Sequence, residues 1–355
     1  MRESATATYA WTQLPWRQLE VAVCTLERRI DKASHTGDSR RGHRLQKLLL
    51  KSRAATWLAV RRVTQDNQGK HTAGVDGITS LTPRQRYAWA AQLGTLPLGR
   101  PTRRVWSPTP GTDERRLLSI PTRHDRALHA LVTLALEPEW EARFEPNSDG
   151  FRPRRSVHDA LGAIFIALET PPKDAVDADS ATCCDRIDQE ALLRQLKTFP
   201  TLNRLVKAWL KAGGLDNGVW VETQSATPQG GVRSPLLANI ALPGLEEDIR
   251  TRFPARTRRH PAQPGRQLHG HPQVIRYADD RVVLHRDRPV IEPCRHLTQE
   301  WLQDIGLELS EQKTRLAHTL ETAEGEAGQH VAGTRLQNAH HAKARGGETP
   351  LGEAV

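Results

Sequence analysis

Apolar residues in the first third of the chain fall at helical spacing. Trp16, Leu19, Val23, Leu26 and Ile30 recur at three- and four-residue steps and predict one amphipathic helix, interrupted at Gly37. A second helical stretch is expected over residues 40–63, where Leu45, Leu48, Leu49, Leu58 and Val60 are available for burial among many Arg and Lys. A short helix is expected over 83–93. The basic run Thr102-Arg103-Arg104-Val105-Trp106, a Pro/Gly turn and Arg115-Arg116-Leu117-Leu118-Ser119-Ile120 read as a β-hairpin. Further helices are expected over 122–144, 157–168, 189–196, 202–212 and 293–305, and a Gly/Asn turn at Asp216-Asn217-Gly218 predicts another hairpin before Val219-Trp220-Val221.

Two stretches break this pattern with carboxylates. In 274–284, two β-branched runs flank Tyr277-Ala278-Asp279-Asp280, which reads as a hairpin with adjacent acids at its tip. Such a pair repels itself, and burial would raise its pKa values. A divalent cation removes the conflict, because Mg²⁺ takes oxygen ligands from one or two carboxylates together with substrate phosphates. A solvated Asp-Asp turn is the commoner meaning of a lone pair. A third acid shifts that balance. In Asp174-Ala175-Val176-Asp177-Ala178-Asp179, acidic and apolar residues alternate at strand period, so Asp177 and Asp179 share a face. With Asp179 beside Asp279, the chain would carry a three-carboxylate, two-metal site for phosphoryl transfer.

At 355 residues the chain is long enough for two or three subdomains. Lys and Arg (51) outnumber Asp and Glu (41), giving a formal charge of +10 and favouring a polyanionic partner over a membrane surface. The apolar runs are far short of a bilayer span, and residues 1–6 lack a secretory apolar segment. Cys24, Cys183, Cys184 and Cys294 form no C-x-x-C pair, which argues against zinc and for reduced thiols in a cytoplasmic protein.

Tyr277-Ala278-Asp279-Asp280, with the upstream Asp179 strand leading into a helix, resembles the palm of a reverse transcriptase, most closely the bacterial group II intron reverse transcriptase/maturase family. Three further blocks carry the resemblance: 66–78 (DNQGKHTAGVDGI), 146–156 (PNSDGFRPRRS) and 227–240 (TPQGGVRSPLLANI). The resemblance implies an α+β, right-hand fold: a helical, RNA-binding N-terminal extension (1–65), fingers (66–172), a palm (173–320) and an irregular tail (321–355), with the thumb absent. It implies an RNA-directed DNA polymerase associated with intron splicing and mobility, in which Asp179, Asp279 and Asp280 are the catalytic, metal-binding residues for two Mg²⁺. Arg116, Gln229, Lys313 and Cys184 would contact the incoming nucleotide, and Arg152, Arg154 and Arg155 the RNA. Partners would be group II intron RNA or another RNA template, a DNA primer and dNTPs, with no membrane.

The sequence departs from the family at several positions. Aromatics are expected where Asp149, Cys184 and Arg281 stand, an aliphatic where Ser180 stands, and Lys where Thr109 stands. Cys184 occupies the position that screens the sugar 2′-hydroxyl in the family, and a thiol cannot stack on a ribose as a ring does. Arg281 puts a charge where a ring should pack, and a buried unpaired Arg is costly. The alternative reading is a truncated, catalytically impaired, RNA-binding maturase-like protein. A basic structural protein with incidental acidic pairs is a third.

Overall fold

The structure is a computed structural model that describes residues 11–93, 99–108, 115–168, 173–180, 186–222, 234–255, 270–310 and 314–318. In chain order the helices begin with α1 (Trp16–His35), α2 (Ser39–Leu50), α3 (Arg53–Arg61) and α4 (Pro83–Gln92). Strands β1 (Thr102–Pro108) and β2 (Arg115–Ile120) precede α5 (Arg123–Glu141) and α6 (Val157–Leu168). Next come β3 (Asp174–Ala178), α7 (Gln189–Leu196), α8 (Pro200–Leu210), β4 (Gly214–Asp216) and β5 (Val219–Val221). The remainder holds α9 (Ser234–Ala241), α10 (Leu245–Arg252), β6 (Gln273–Tyr277), β7 (Asp280–His285), α11 (Arg288–Asp304) and β8 (Arg315–His318).

The single helix expected over 40–63 is two. Ser52 takes an extended backbone, and its hydroxyl accepts a hydrogen bond from the Ala55 amide at 3.4 Å, starting α3 afresh. A serine side chain offers the amides at a helix start a partner they otherwise lack, so a break here costs little.

Two units divide the described chain, interleaved in sequence. The first gathers the described residues of Met1–Arg143 and Leu193–Leu237. Its helices α1, α2 and α3 pack on α5, which is buried on nearly every side although it begins Arg-His-Asp-Arg. Those polar groups have internal tasks. The Arg123 guanidinium donates to the carbonyls of Ile78 and Thr79 (3.1 and 2.9 Å) and of Lys70, while its amide donates to the Asp76 carboxylate at 2.8 Å. Arg126 donates to the carbonyls of Gly69 and Thr72. Together they cinch the 66–78 loop onto α5. Gly74 has no freedom there, since a Cβ would lie 2.5 Å from the Pro121 carbonyl oxygen. Burial, reinforced by Arg123, lowers the pKa of Arg126 to about 10. The first unit also holds a sheet in the order β2-β1-β4-β5, with β1 antiparallel to β2 and parallel to β4.

The second unit covers the described residues of Phe144–Leu192 and Ala238–Gly352. Its antiparallel sheet has the order β6-β7-β3-β8. Ala175, Ile275, Val282 and Leu284 pack against Val157, Ala160, Ile164 and Ala167, which recur at helical spacing on α6. Val176, Ala178, Val274 and Val283 pack with Leu245 and Ile249 of α10 and with Ile291, Cys294 and Leu297 of α11. Alternate residues of β3 and β7 thus feed different cores. This fixes the register, because a one-residue slip would exchange the two faces. Among the described residues no helix is long and apolar enough to cross a membrane.

Candidate active site

The ends of β3, β6 and β7 bring the acidic residues together. Tyr277 and Asp280 form the last pair of the β6–β7 hairpin, which leaves Ala278 and Asp279 as a two-residue turn. Ala278 has φ +56°, the left-handed value that such tight hairpin turns require and that L side chains resist. Ala178 opposite Arg281 is the last pair between β3 and β7. One further step in that register sets Asp179 across from Asp280. Asp179 is buried, and its backbone carbonyl accepts from the Ser310 amide at 2.9 Å. Asp279 and Asp280 are half-buried.

This donor set fits a hard divalent cation: three carboxylates from two paired strands and no soft ligand. The side chains as they stand do not complete a site. Among the described residues, no three His, Cys, Asp or Glu converge to hold an ion. The strand register brings Asp179, Asp279 and Asp280 to the same end of the sheet. Tyr277 lies in the same electrostatic environment. Burial, followed by the Asp149 and Asp280 charges, raises its phenol pKa.

Buried groups hold the turn from two sides. Arg276 donates to the Ala278 carbonyl (3.2 Å) and to the Asn239 side-chain oxygen (3.0 Å), and Asn239 donates to the Gly150 carbonyl at 2.7 Å. Gly150 rests directly on the turn: a Cβ there would lie 2.1 Å from the Ala278 nitrogen. On the other side Arg281, with no exposed surface, donates to the Asp279 carbonyl and to the Ser180 hydroxyl, both at 2.9 Å. The costly unpaired arginine expected at 281 is therefore a partnered one. Ser180, which replaces an aliphatic residue, supplies one of the acceptors. Asp149, standing where a ring was expected, is likewise paired. It is 2 % exposed and bonded to Arg155 at 3.0 Å, and burial raises its pKa while Arg155 opposes the rise.

The residues expected to meet RNA lie in the segment after Phe144. Arg152 stacks on Phe144 and donates to the carbonyls of Glu145 and Ser148, and Arg155 is bonded to Asp149. Arg154 is exposed, with a left-handed backbone at φ +62°. Of the nucleotide contacts, Arg116 sits on β2 opposite Ser107, with its side chain outside the described residues. Cys184, Gln229 and Lys313, as well as Thr109, lie outside the described residues altogether.

One groove in the first unit has no signature in the local sequence pattern. It has a volume of ≈ 530 Å³ and is lined by Gly74, Val75, Arg103, Arg104 and Trp106, with the Asp216–Gly218 turn. Trp106 is 50 % exposed, and its indole N–H donates to the Asp216 carboxylate at 3.3 Å.

Residues 11–93 match the model of the family described as the N-terminal domain of reverse transcriptase. Residues 107–342 match that described as reverse transcriptase (RNA-dependent DNA polymerase). Protein YkfC of Escherichia coli strain K12 is 31% identical over 309 residues, covering 78% of this chain and 80% of that protein. Group II intron-encoded protein LtrA of Lactococcus lactis subsp. cremoris is 37% identical over 154 residues, covering 42% of this chain but 25% of LtrA. Maturase-like protein 1 of Euglena gracilis is 32% identical over 161 residues, covering 43% of this chain and 34% of that protein.

Proposed function

The chain belongs to the reverse transcriptases, within the group II intron reverse transcriptase/maturase family, and from that premise we propose that it is an RNA-directed DNA polymerase whose catalytic residues are Asp179, Asp279 and Asp280. The observation that carries this reading is the strand register, which leads Asp179 to the level of Asp280 at the tip of the β6–β7 hairpin. In the reaction the primer 3′-oxygen bonds to the α-phosphorus of a dNTP and pyrophosphate leaves. Reverse transcriptases use divalent metal ions; two Mg²⁺ held by Asp179, Asp279 and Asp280 would lower the pKa of the 3′-hydroxyl and neutralise the triphosphate.

The chain's own residues do the rest. Arg116, whose planar fork matches phosphate oxygens, would hold the triphosphate, with Lys313 near the leaving pyrophosphate and Gln229 and Cys184 against the nucleotide. The RNA template, whether group II intron RNA or another RNA, would be gripped through phosphate and 2′-hydroxyl groups. Arg154 is the most available of the 152–155 cluster for that contact, since Arg152 and Arg155 have internal partners. The groove beside Trp106, with Arg103 and Arg104, suits a base stacked between charged walls.

A second reading, RNA binding without synthesis, draws on Asp149, Cys184 and Arg281 standing where the family has aromatics. The Asp279→Ala variant separates the two. Synthesis on an RNA template should fall at least a hundredfold while RNA affinity stays within about threefold. Equal loss of both would remove Asp279 from the metal site.

A further inference from the structure

A two-residue hairpin turn leaves its own carbonyls outside the ladder, and buried carbonyls need donors. Here each turn carbonyl receives a guanidinium: Arg276 reaches the Ala278 oxygen and Arg281 the Asp279 oxygen. The two arginines are direct cross-strand partners, and both are buried. Like charges set opposite each other repel, so this arrangement needs compensation. Asp149, Asp179, Asp279 and Asp280 lie at this end of the sheet and supply negative charge. Arg281 also ties strands together. Its hydrogen bond to Ser180 crosses from β7 to the residue just after Asp179, and the Ser180 hydroxyl itself lies 3.4 Å from the Asp279 carbonyl. One guanidinium therefore fixes the backbone carrying two of the three acids and adds its charge beside them.

We propose that Arg281 is a positioning residue which, through Ser180, sets Asp179 against Asp279 and whose buried charge weakens the affinity of the site for divalent cations. The inference rests on the carboxylate-site reading above, and its two parts are read separately. The first part makes Arg281 and Ser180 energetically coupled. Arg281→Met leaves the Ser180 hydroxyl and the Asp279 carbonyl without this donor, and Ser180→Ala takes an acceptor from a buried charge. Each should lower Tm by at least about 3 °C, and the double variant should lose clearly less than the sum of the two. The second part makes ion affinity respond to charge. Removing the guanidinium takes one of the two positive charges bonded to the turn that carries Asp279, so Mn²⁺ followed by EPR should bind Arg281→Met about three- to tenfold more tightly than wild type. Arg281→Lys keeps the charge and should stay close to wild type. A merely structural role would leave Mn²⁺ affinity unmoved, or weaken it in step with Tm.

The experiment uses the full chain, with Asp279→Ala alongside. Additive Tm losses, or an Arg281→Met protein that binds Mn²⁺ no more tightly than wild type, would overturn the inference. Mn²⁺ binding untouched by Asp279→Ala would overturn the site reading instead. The coupling measured by Tm stands or falls independently of that result.

Discussion

Gly150→Ala tests how the acidic turn is held. The added Cβ would sit 2.1 Å from the Ala278 nitrogen, 2.8 Å from its Cα and 2.9 Å from its Cβ. All three atoms belong to the turn itself, and the nearest is backbone, so no flexible side chain can move aside. Reaching an ordinary contact of 3.4 Å requires a retreat of roughly 1.3 Å. Three hydrogen bonds resist that retreat: Asn239 to the Gly150 carbonyl (2.7 Å), the Asp149 amide to the Arg276 carbonyl (2.9 Å) and the Arg276 amide to the Asn147 carbonyl (2.8 Å). Losing or straining them, at about 1 kcal/mol each, with an overpacking cost of about 1–3 kcal/mol, gives a destabilisation of about 4–6 kcal/mol. The control is Gly162→Ala, in the middle of α6, where an added Cβ meets nothing within 4 Å. That change should be neutral or stabilise by up to about 1 kcal/mol through helix propensity. Urea unfolding followed by circular dichroism measures both. If Gly150→Ala lies within about 0.5 kcal/mol of its control, the close contact with the turn is not a constraint in the protein.

Two further perturbations test the first unit. Burial raises the Glu137 pKa from 4.5 to about 7, against the pull of Arg62 and with help from Glu141 and Glu27. A carboxyl raised on folding binds more protons in the folded state, so stability should fall as pH climbs from 4.5 to about 7. Glu137→Gln should remove that slope, gaining up to about 3 kcal/mol at pH 8 and nothing at pH 4, as read by Tm across the pH series. Arg123→Met should leave the carbonyls of Lys70, Ile78 and Thr79 without their donor at a site with no exposure, and cost about 3–5 kcal/mol. Limited proteolysis should then cut within the 66–78 loop; a loop as resistant as wild type would contradict its role as the clasp.

The palm hairpin was legible because β-branched runs around Tyr277–Asp280 and alternation in 174–179 are short-range signals, and the register follows once both faces of the sheet have cores to fill. The helix break at Ser52 was not legible. Leu45, Leu49 and Val60 keep a helical period through it, and a single serine cap interrupts the chain without disturbing that pattern. Nor was the interleaving of the units, since β4 joins β1 by a parallel pairing about a hundred residues apart, which no local pattern encodes. The polar opening of α5 misled in the same way. Arg123 and Arg126 look like surface charges in sequence, yet they are buried by carbonyls of a loop some fifty residues away. Around the acids, Arg281 and Asp149 each looked like a single damaging replacement. Their partners Ser180 and Arg155 are visible only in three dimensions, as two local compensations on either side of the turn.

The most direct test of the central claim is primer extension on an RNA template with Mg²⁺, comparing dNTPs with rNTPs and using Asp279→Ala/Asp280→Ala as control. Template-dependent extension with dNTPs, abolished in the control, is the expected result; extension with rNTPs as well would trace to the thiol of Cys184 at the sugar-screening position. A folded, RNA-binding protein that extends no primer would contradict the assignment of Asp179, Asp279 and Asp280 as a working polymerase site.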